Sequence, residues 1–193
     1  MHPNKQRVLM FCGPDMCGKT QIAKKLSEVT DIPYFKATSE HDSFISSRTT
    51  MSKRDLFLNQ LRYADPRVFD VLKQAGWSII FDRAFPCEFA YSRAFGRETD
   101  VNMLRHMDEM WASIGATVVL CHRSSYKGIV DDLDPSIKEE ALTRIHDHYM
   151  EFVRWTKCKV LLLNVDDEDL VREVNDILGF MGWSQRVHLS GAV

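Results

Sequence analysis

The sequence predicts a three-layer α/β fold, a mainly parallel sheet of five strands with helices on both faces. Three observations carry it. Short apolar runs of strand length alternate along the chain with longer segments in which apolar residues recur at helical intervals. The stretch Gly13-Pro14-Asp15-Met16-Cys17-Gly18-Lys19-Thr20 follows the first such run and opens directly into a helical pattern, giving strand, glycine loop, helix. No internal repeat, low-complexity tract or long Pro/Gly/Ser linker interrupts the alternation, so a single domain is expected over 1–193. Strands that alternate with helices pair in parallel through βαβ crossovers, which cover both faces of the sheet.

Val8-Leu9-Met10-Phe11-Cys12 is the first strand, and Gln21-Ile22-Ala23-Lys24-Lys25-Leu26 continues the helix after the loop. The spacing G-x-x-x-x-G-K-T between them is that of a phosphate-binding P-loop. Gly13 and Gly18 let the backbone N–H groups of the loop, through Asp15, Met16 and Cys17, curl around phosphate oxygens. Lys19 then reaches the β- and γ-phosphates, and the Thr20 hydroxyl is placed to hold Mg²⁺. The helix adds its own anion-attracting N-terminus. Average residue usage would produce this spacing by accident in roughly one chain in a hundred of this size.

Asp31 to Lys36 reads as a turn and a short second strand, and the polar stretch Ala37 to Thr50 as a loop or a poorly periodic helix start that could carry substrate contacts. From Lys53 to Gly76 the residues Leu56, Phe57, Leu61, Val68, Phe69, Val71 and Leu72 keep helical intervals, with Pro66 a break or a new start. Trp77 to Phe81 is a buried strand ending in Asp82-Arg83. Helices over Pro86 to Phe95 and Val101 to Ile114 follow, then a fourth strand, Thr117 to Cys121. His122 to Gly128 is polar and basic and should be an exposed loop. Asp134-Pro135 supplies an N-cap and a proline at the first helical position for a helix running to about Thr156. Lys159 to Val165 is the fifth strand, and a last helix runs from about Glu168 to Leu178, where Gly179 stops it.

Composition narrows the classes of function. With 45% hydrophobic and 27% charged residues, the chain suits a soluble globular fold with a full core. A formal charge of −2 argues against a protein that grips duplex DNA through a strongly basic surface. Five cysteines without a C-x-x-C pair imply neither a disulfide framework nor a zinc site, and a reducing cytoplasm is expected. No secretory signal and no bilayer-spanning run is expected. His146 and His148 lie two apart on a helix and do not share a face, so they are not read as a metal pair. Asp166-Asp167-Glu168-Asp169 is read as a helix-start charge cluster, and Trp111 and Trp155 as packing.

Parallel sheets of this kind bind ligands at the carboxyl ends of their strands, which places the glycine loop, Asp82-Arg83 and the loop after Cys121 along one edge. Asp82 is positioned to support magnesium, and Arg83 to clamp an anionic substrate oxygen. Arg93 and Arg97, close behind, are candidates for phosphate contacts. Cys17, at a helix N-terminus near Lys19, is expected to be unusually reactive.

In these residues the chain resembles the thymidylate kinase and deoxynucleoside kinase branch of the P-loop kinases. The resemblance rests on Gly13 to Thr20, on Phe81-Asp82-Arg83 followed by Ala90-Tyr91, and on Leu56-Phe57-Leu58-Asn59-Gln60-Leu61-Arg62. It implies the three-layer P-loop kinase fold, ATP and Mg²⁺ as cofactors, and phosphoryl transfer to a deoxynucleoside monophosphate. It further implies that Asp15 meets the sugar hydroxyl of the acceptor, that Arg83 binds the acceptor phosphate, and that Arg62 addresses the base, with Leu58 and Tyr91 also in the acceptor site. A short lid around 122–133 would close over the donor phosphates, with Arg123 and Lys127 as its nearest cations. Leu58 stands where thymidylate kinases usually carry a phenylalanine that stacks on thymine, Ser92 replaces the usual glutamine, Met16 a customary glycine and Ala84 an aromatic residue. A relaxed or shifted pyrimidine choice, including a modified pyrimidine, is therefore expected.

Two other readings stay open at this level. In the first the acceptor is a hydroxyl, on a deoxynucleoside or on hydroxymethyluracil in DNA, and Asp82 is the general base. The second is a P-loop switch that hydrolyses nucleotide to control a partner, against which stands the lack of an N-K-x-D signature. The expected partner is a nucleotide acceptor, with DNA only under the hydroxyl reading and no membrane; a homodimer is compatible with the chain.

Overall fold

The computed structural model describes residues 6–37, 52–129 and 138–183. Five strands, β1 (Val8–Cys12), β2 (Tyr34–Lys36), β3 (Ile79–Asp82), β4 (Thr117–His122) and β5 (Lys159–Asn164), form one parallel sheet in the order β2-β3-β1-β4-β5. β1 is central and every one of its residues is buried, as a continuous apolar run in a sheet covered on both sides requires.

Because successive strand residues point to opposite faces, β1 divides its side chains between two cores. Val8, Met10 and Cys12 join the larger one, where the Trp111 ring meets Phe69 and Phe81 edge-on, each at 5.4 Å between ring centres. Each such pair adds about 0.5–1.5 kcal/mol beyond burial. Leu9 and Phe11 join the other, against Ile22 and Leu26 of α1 (Lys19–Thr30) and Val174 and Ile177 of the last helix. Further helices are α2 (Lys53–Asn59), α3 (Asp65–Ala75), α4 (Phe85–Ala94), α5 (Val101–Ser113), α6 (Glu139–Val153) and α7 (Leu170–Phe180). No helix among the described residues is long and apolar enough to cross a membrane.

Several boundaries differ from those the sequence predicts. β3 begins at Ile79 because its ladder to β1 starts there, with the Ile79 N–H donating to the Arg7 carbonyl at 2.9 Å; Trp77 precedes the ladder and is 63% exposed. Between α2 and α3 the chain takes a wide π-helical turn, Gln60–Ala64, in place of a simple break. A proline in an α-helix presses its ring on the carbonyl four residues back and donates no hydrogen bond, and the widened turn just before Pro66 accommodates both. α7 passes through Gly179 to Phe180, since the left-handed residue that ends the segment is Gly182. α6 starts at Glu139; the expected cap Asp134-Pro135 lies outside the described residues, as does nearly all of the polar stretch from Ala37 to Thr50.

Candidate active site

β1 delivers the chain to Gly13, where φ is 139° and an added Cβ would stand 2.1 Å from the Cys121 carbonyl oxygen of β4. Only glycine allows that approach. Met16 and Gly18 also take left-handed backbone, φ 63° each, and Gly18 leads into α1. Met16 thus holds a conformation that glycine adopts without strain, at the place where the resemblance leads one to expect a glycine.

The loop and the N-terminus of α1 open onto a cavity of about 570 Å³, lined by Asp15, Lys19, Thr20, Lys36, Arg83 and Arg123 among others. Lys19 donates from Nζ to the Pro14 carbonyl at 2.5 Å and lies 4.0 Å from the Asp15 carboxylate. Asp15 in turn accepts from Arg83 Nη2 at 2.6 Å and from the Tyr91 hydroxyl at 2.7 Å. Burial alone would raise the Asp15 carboxyl. The charges of Arg83 and Lys19 and the hydrogen bonds from Tyr91 and Arg83 outweigh it and hold the group below its ordinary range. Arg83 reaches this position from a left-handed backbone, φ 71°, with its N–H donating to the Phe11 carbonyl at 3.0 Å. Burial opposes its charge, and Tyr91 and Asp15 more than restore it.

Asp82, at the end of β3, is 1% exposed. Its Oδ2 accepts from the Thr20 hydroxyl at 2.6 Å and the Tyr34 hydroxyl at 2.8 Å, while its Oδ1 is buried with no hydrogen-bond partner among the described residues. An orphaned carboxylate oxygen beside a threonine hydroxyl suits a hard cation. Among the described residues no three His, Cys, Asp or Glu side chains are grouped to cage a metal.

Arg123 donates from Nε and Nη2 to the Met16 carbonyl at 3.2 and 3.1 Å and from Nη2 to Glu168 at 2.5 Å. The loop that carries it is fixed by the Ser124 N–H on Asp166, at 3.0 Å, and by the buried ring of Tyr126. Arg123 therefore lies against the P-loop from a secured segment; of the expected lid around 122–133, residues 130–133 lie outside the described residues.

One expectation is corrected. Cys17 points into the core, 0% exposed, with its Sγ 3.8 Å from the Tyr126 hydroxyl, and burial pushes its thiol up despite Lys19. Iodoacetamide should label Cys17 slowly in the native chain and quickly in denaturant, read by peptide mapping; rapid native labelling would contradict this placement. Arg93 does not line the cavity; it pairs with Glu151 at 3.1 Å and lies over the Phe89 ring at 5.3 Å. Arg97 similarly lies over Phe95, at 4.9 Å. Leu58, half-buried, and Arg62, exposed, sit on the α2 to π-turn segment and do not line the cavity, whereas Tyr91 reaches it through Asp15.

Sequence reasoning missed Tyr34, whose hydroxyl meets Asp82 only because β2 pairs with β3. It also missed the joint between α2 and α4, where Arg54 Nη2 donates to Glu88 at 2.8 Å, to Ser92 at 3.3 Å and to the Glu98 carbonyl. No local signal in the sequence marks either.

A P-loop, a strand-end aspartate on the P-loop threonine and a central parallel strand between β3 and β4 define the P-loop kinase fold. It is the thymidylate kinase-like form of that fold, as comparison with solved structures shows. The YorR protein from Bacillus subtilis, solved with phosphorylated GDP, superposes with a TM-score of 0.64 at 19% identity over 91% of this chain and 95% of its own. Thymidylate kinase from Ehrlichia chaffeensis gives 0.60 at 14% identity over 93% and 100%. Thymidylate kinase from Candida albicans gives 0.57 at 16% over 95% and 96%. No protein-family model matches the sequence, and no curated protein is significantly similar to it.

Proposed function

We propose that the chain is a nucleotide kinase that moves the γ-phosphoryl group of a nucleoside triphosphate, ATP by the sequence reading, to the phosphate of a deoxynucleoside monophosphate. The observation that carries this reading is the Asp15, Arg83 and Tyr91 cluster beside the P-loop lysine. It sets a fixed cation and a hydrogen-bonding carboxylate at the mouth of a phosphate site, suited to a terminal monophosphate and a free sugar hydroxyl. The fold shared with two thymidylate kinases and with a protein solved with phosphorylated GDP supports a nucleotide as ligand.

Transfer would run in line. An oxygen of the acceptor phosphate forms the new bond to the γ-phosphorus while the bond to the β,γ-bridging oxygen breaks, leaving a nucleoside diphosphate. A phosphate acceptor is already ionised, so no general base is needed. Lys19 offsets charge on the transferring group, Arg83 orients the acceptor, and Arg123 faces the donor from the β4 loop. Thr20 and Asp82 would hold Mg²⁺, which when bound supplies charge neutralisation at the β- and γ-oxygens. Asp82 already accepts from two hydroxyls, which favours this supporting part over proton abstraction from a hydroxyl acceptor.

Radiolabelled ATP offered with nucleosides, nucleotides and modified oligonucleotides tests the reading. Label should enter free deoxynucleoside monophosphates, with pyrimidine choice broader than a thymidylate kinase's. Arg83→Ala should raise the acceptor KM and lower kcat by about tenfold or more while changing ATP binding little. Transfer only to hydroxymethyluracil in an oligonucleotide would replace this acceptor with the hydroxyl one.

A further inference from the structure

Glu173 lines the cavity from the first turns of α7, and nothing in the phosphoryl-transfer reading uses it. The residue is 4% exposed, and its Oε1 is buried with no hydrogen-bond partner among the described residues. The cation beside it, Arg172, stands 3.9 Å from Oε1, beyond hydrogen-bond reach, and is committed to Asp167 at 2.5 Å and Asp176 at 2.8 Å. Burial pushes the Glu173 carboxyl up, opposed by Arg172. A buried carboxylate oxygen that lacks a donor is costly, so a ligand that brings one relieves the cost as it binds.

Its surroundings narrow the ligand. Lys19, Thr20 and Gln21 line the phosphate end at the start of α1, while Ile22, Val165 and Leu170 add apolar wall. Leu170 lies three positions before Glu173, on the same face of α7. Glu168 also lines this end but is exposed and paired with Arg123, and Asp15 is committed to Arg83 and Tyr91. That leaves Glu173 as the buried carboxylate of an apolar wall, an arrangement that suits a flat heterocycle whose edge carries N–H groups. Ionised, Glu173 only accepts. Guanine presents two adjacent donors, N1–H and the 2-amino group, to the two carboxylate oxygens. Adenine presents its 6-amino group beside the N1 lone pair, which a carboxylate repels.

We propose that Glu173 reads the base of the phosphoryl donor and that the donor site takes a guanine nucleoside triphosphate in preference to ATP. The proposal rests on the kinase reading above and changes its donor. The guanine-reading carboxylate comes here from the last helix, which is why no N-K-x-D signature accompanies it.

Calorimetric titration of the full chain with the magnesium complexes of GTP, ITP and ATP tests it. The wild-type chain should bind GTP about tenfold or more tightly than ITP, which lacks the 2-amino group, and than ATP. Glu173→Gln keeps the side-chain volume and turns one acceptor into an N–H donor, which opposes guanine N1–H and complements adenine N1. The preference for GTP over ATP should fall by about tenfold or reverse. ATP binding as tightly as GTP to the wild type, or an unchanged GTP-to-ATP ratio in Glu173→Gln, overturns the proposal and leaves the kinase reading standing. Failure of all three nucleotides to bind overturns both. The comparison of GTP, ITP and ATP on the wild type needs no substitution, so it decides the matter even where the variant does not fold.

Discussion

Lys19→Ala is expected to lower kcat/KM by on the order of a hundredfold or more while leaving the chain folded. The ammonium is almost fully buried at the floor of the loop, aimed along the Pro14 carbonyl with Asp15 4.0 Å away. A cation fixed in that way costs nothing to reorganise when charge builds on a transferring phosphoryl group. Alanine removes the charge and leaves β1, Gly13 and the α1 hydrogen bonds intact, so far-UV circular dichroism and the melting temperature should change little. Turnover close to wild type, measured with the same acceptor, would take the lysine out of the mechanism.

Gly13→Ala should damage the fold itself. The new Cβ would meet two backbone atoms of Cys121, the carbonyl oxygen at 2.1 Å and its carbon at 3.1 Å, and backbone cannot swing aside as a flexible side chain can. β4 would have to part from β1 at the point where Cys12 pairs with Leu120. Strain at φ 139° adds about 1–3 kcal/mol, and overpacking about as much again. That is a large share of the 5–15 kcal/mol typical of a domain. Gly115→Ala is the matched control, with a positive φ of 74° and nothing within 4 Å of its added Cβ. Urea melts of both variants should show Gly13→Ala losing clearly more stability; equal losses would refute the Cys121 contact.

What could be read from the chain beforehand follows a physical line. β1, the P-loop, β4 and the parallel architecture were legible because each is written in contiguous residues: an apolar run, two glycines at fixed spacing, a polar break. The meeting of Thr20 with Asp82 follows once the carboxyl ends of β1 and β3 are set side by side. Tyr34 on Asp82 and Arg54 on Glu88 were not legible, since each joins side chains from elements whose relative rotation no local pattern encodes. Cys17 shows the same limit from the other side. Proximity to Lys19 and a helix N-terminus is a statement about sequence distance, whereas reactivity depends on which way the side chain turns, and it turns toward Tyr126. The pairing of Arg93 with Glu151 was not legible for the same reason, its helix face being set by the packing of α4 on α6 through Phe85 and Phe152.

The strand order also governs when, during synthesis, the site can exist. β1 leaves the ribosome first, but the strands that flank it in the sheet, β3 and β4, are made much later. Arg123 and the Met16 carbonyl that it grips are separated by 107 positions. Arg83 and Tyr91 can reach Asp15 once β3 and α4 are made, yet the Cys121 backbone against which Gly13 packs arrives only with β4. Loop closure over such a span has to be completed before the contacts that reward it are made, which slows folding of parallel sheets in general. A nascent chain that ends ahead of β4 thus carries the whole glycine motif without a wall to set it against, and nucleotide can assist folding only in its last steps.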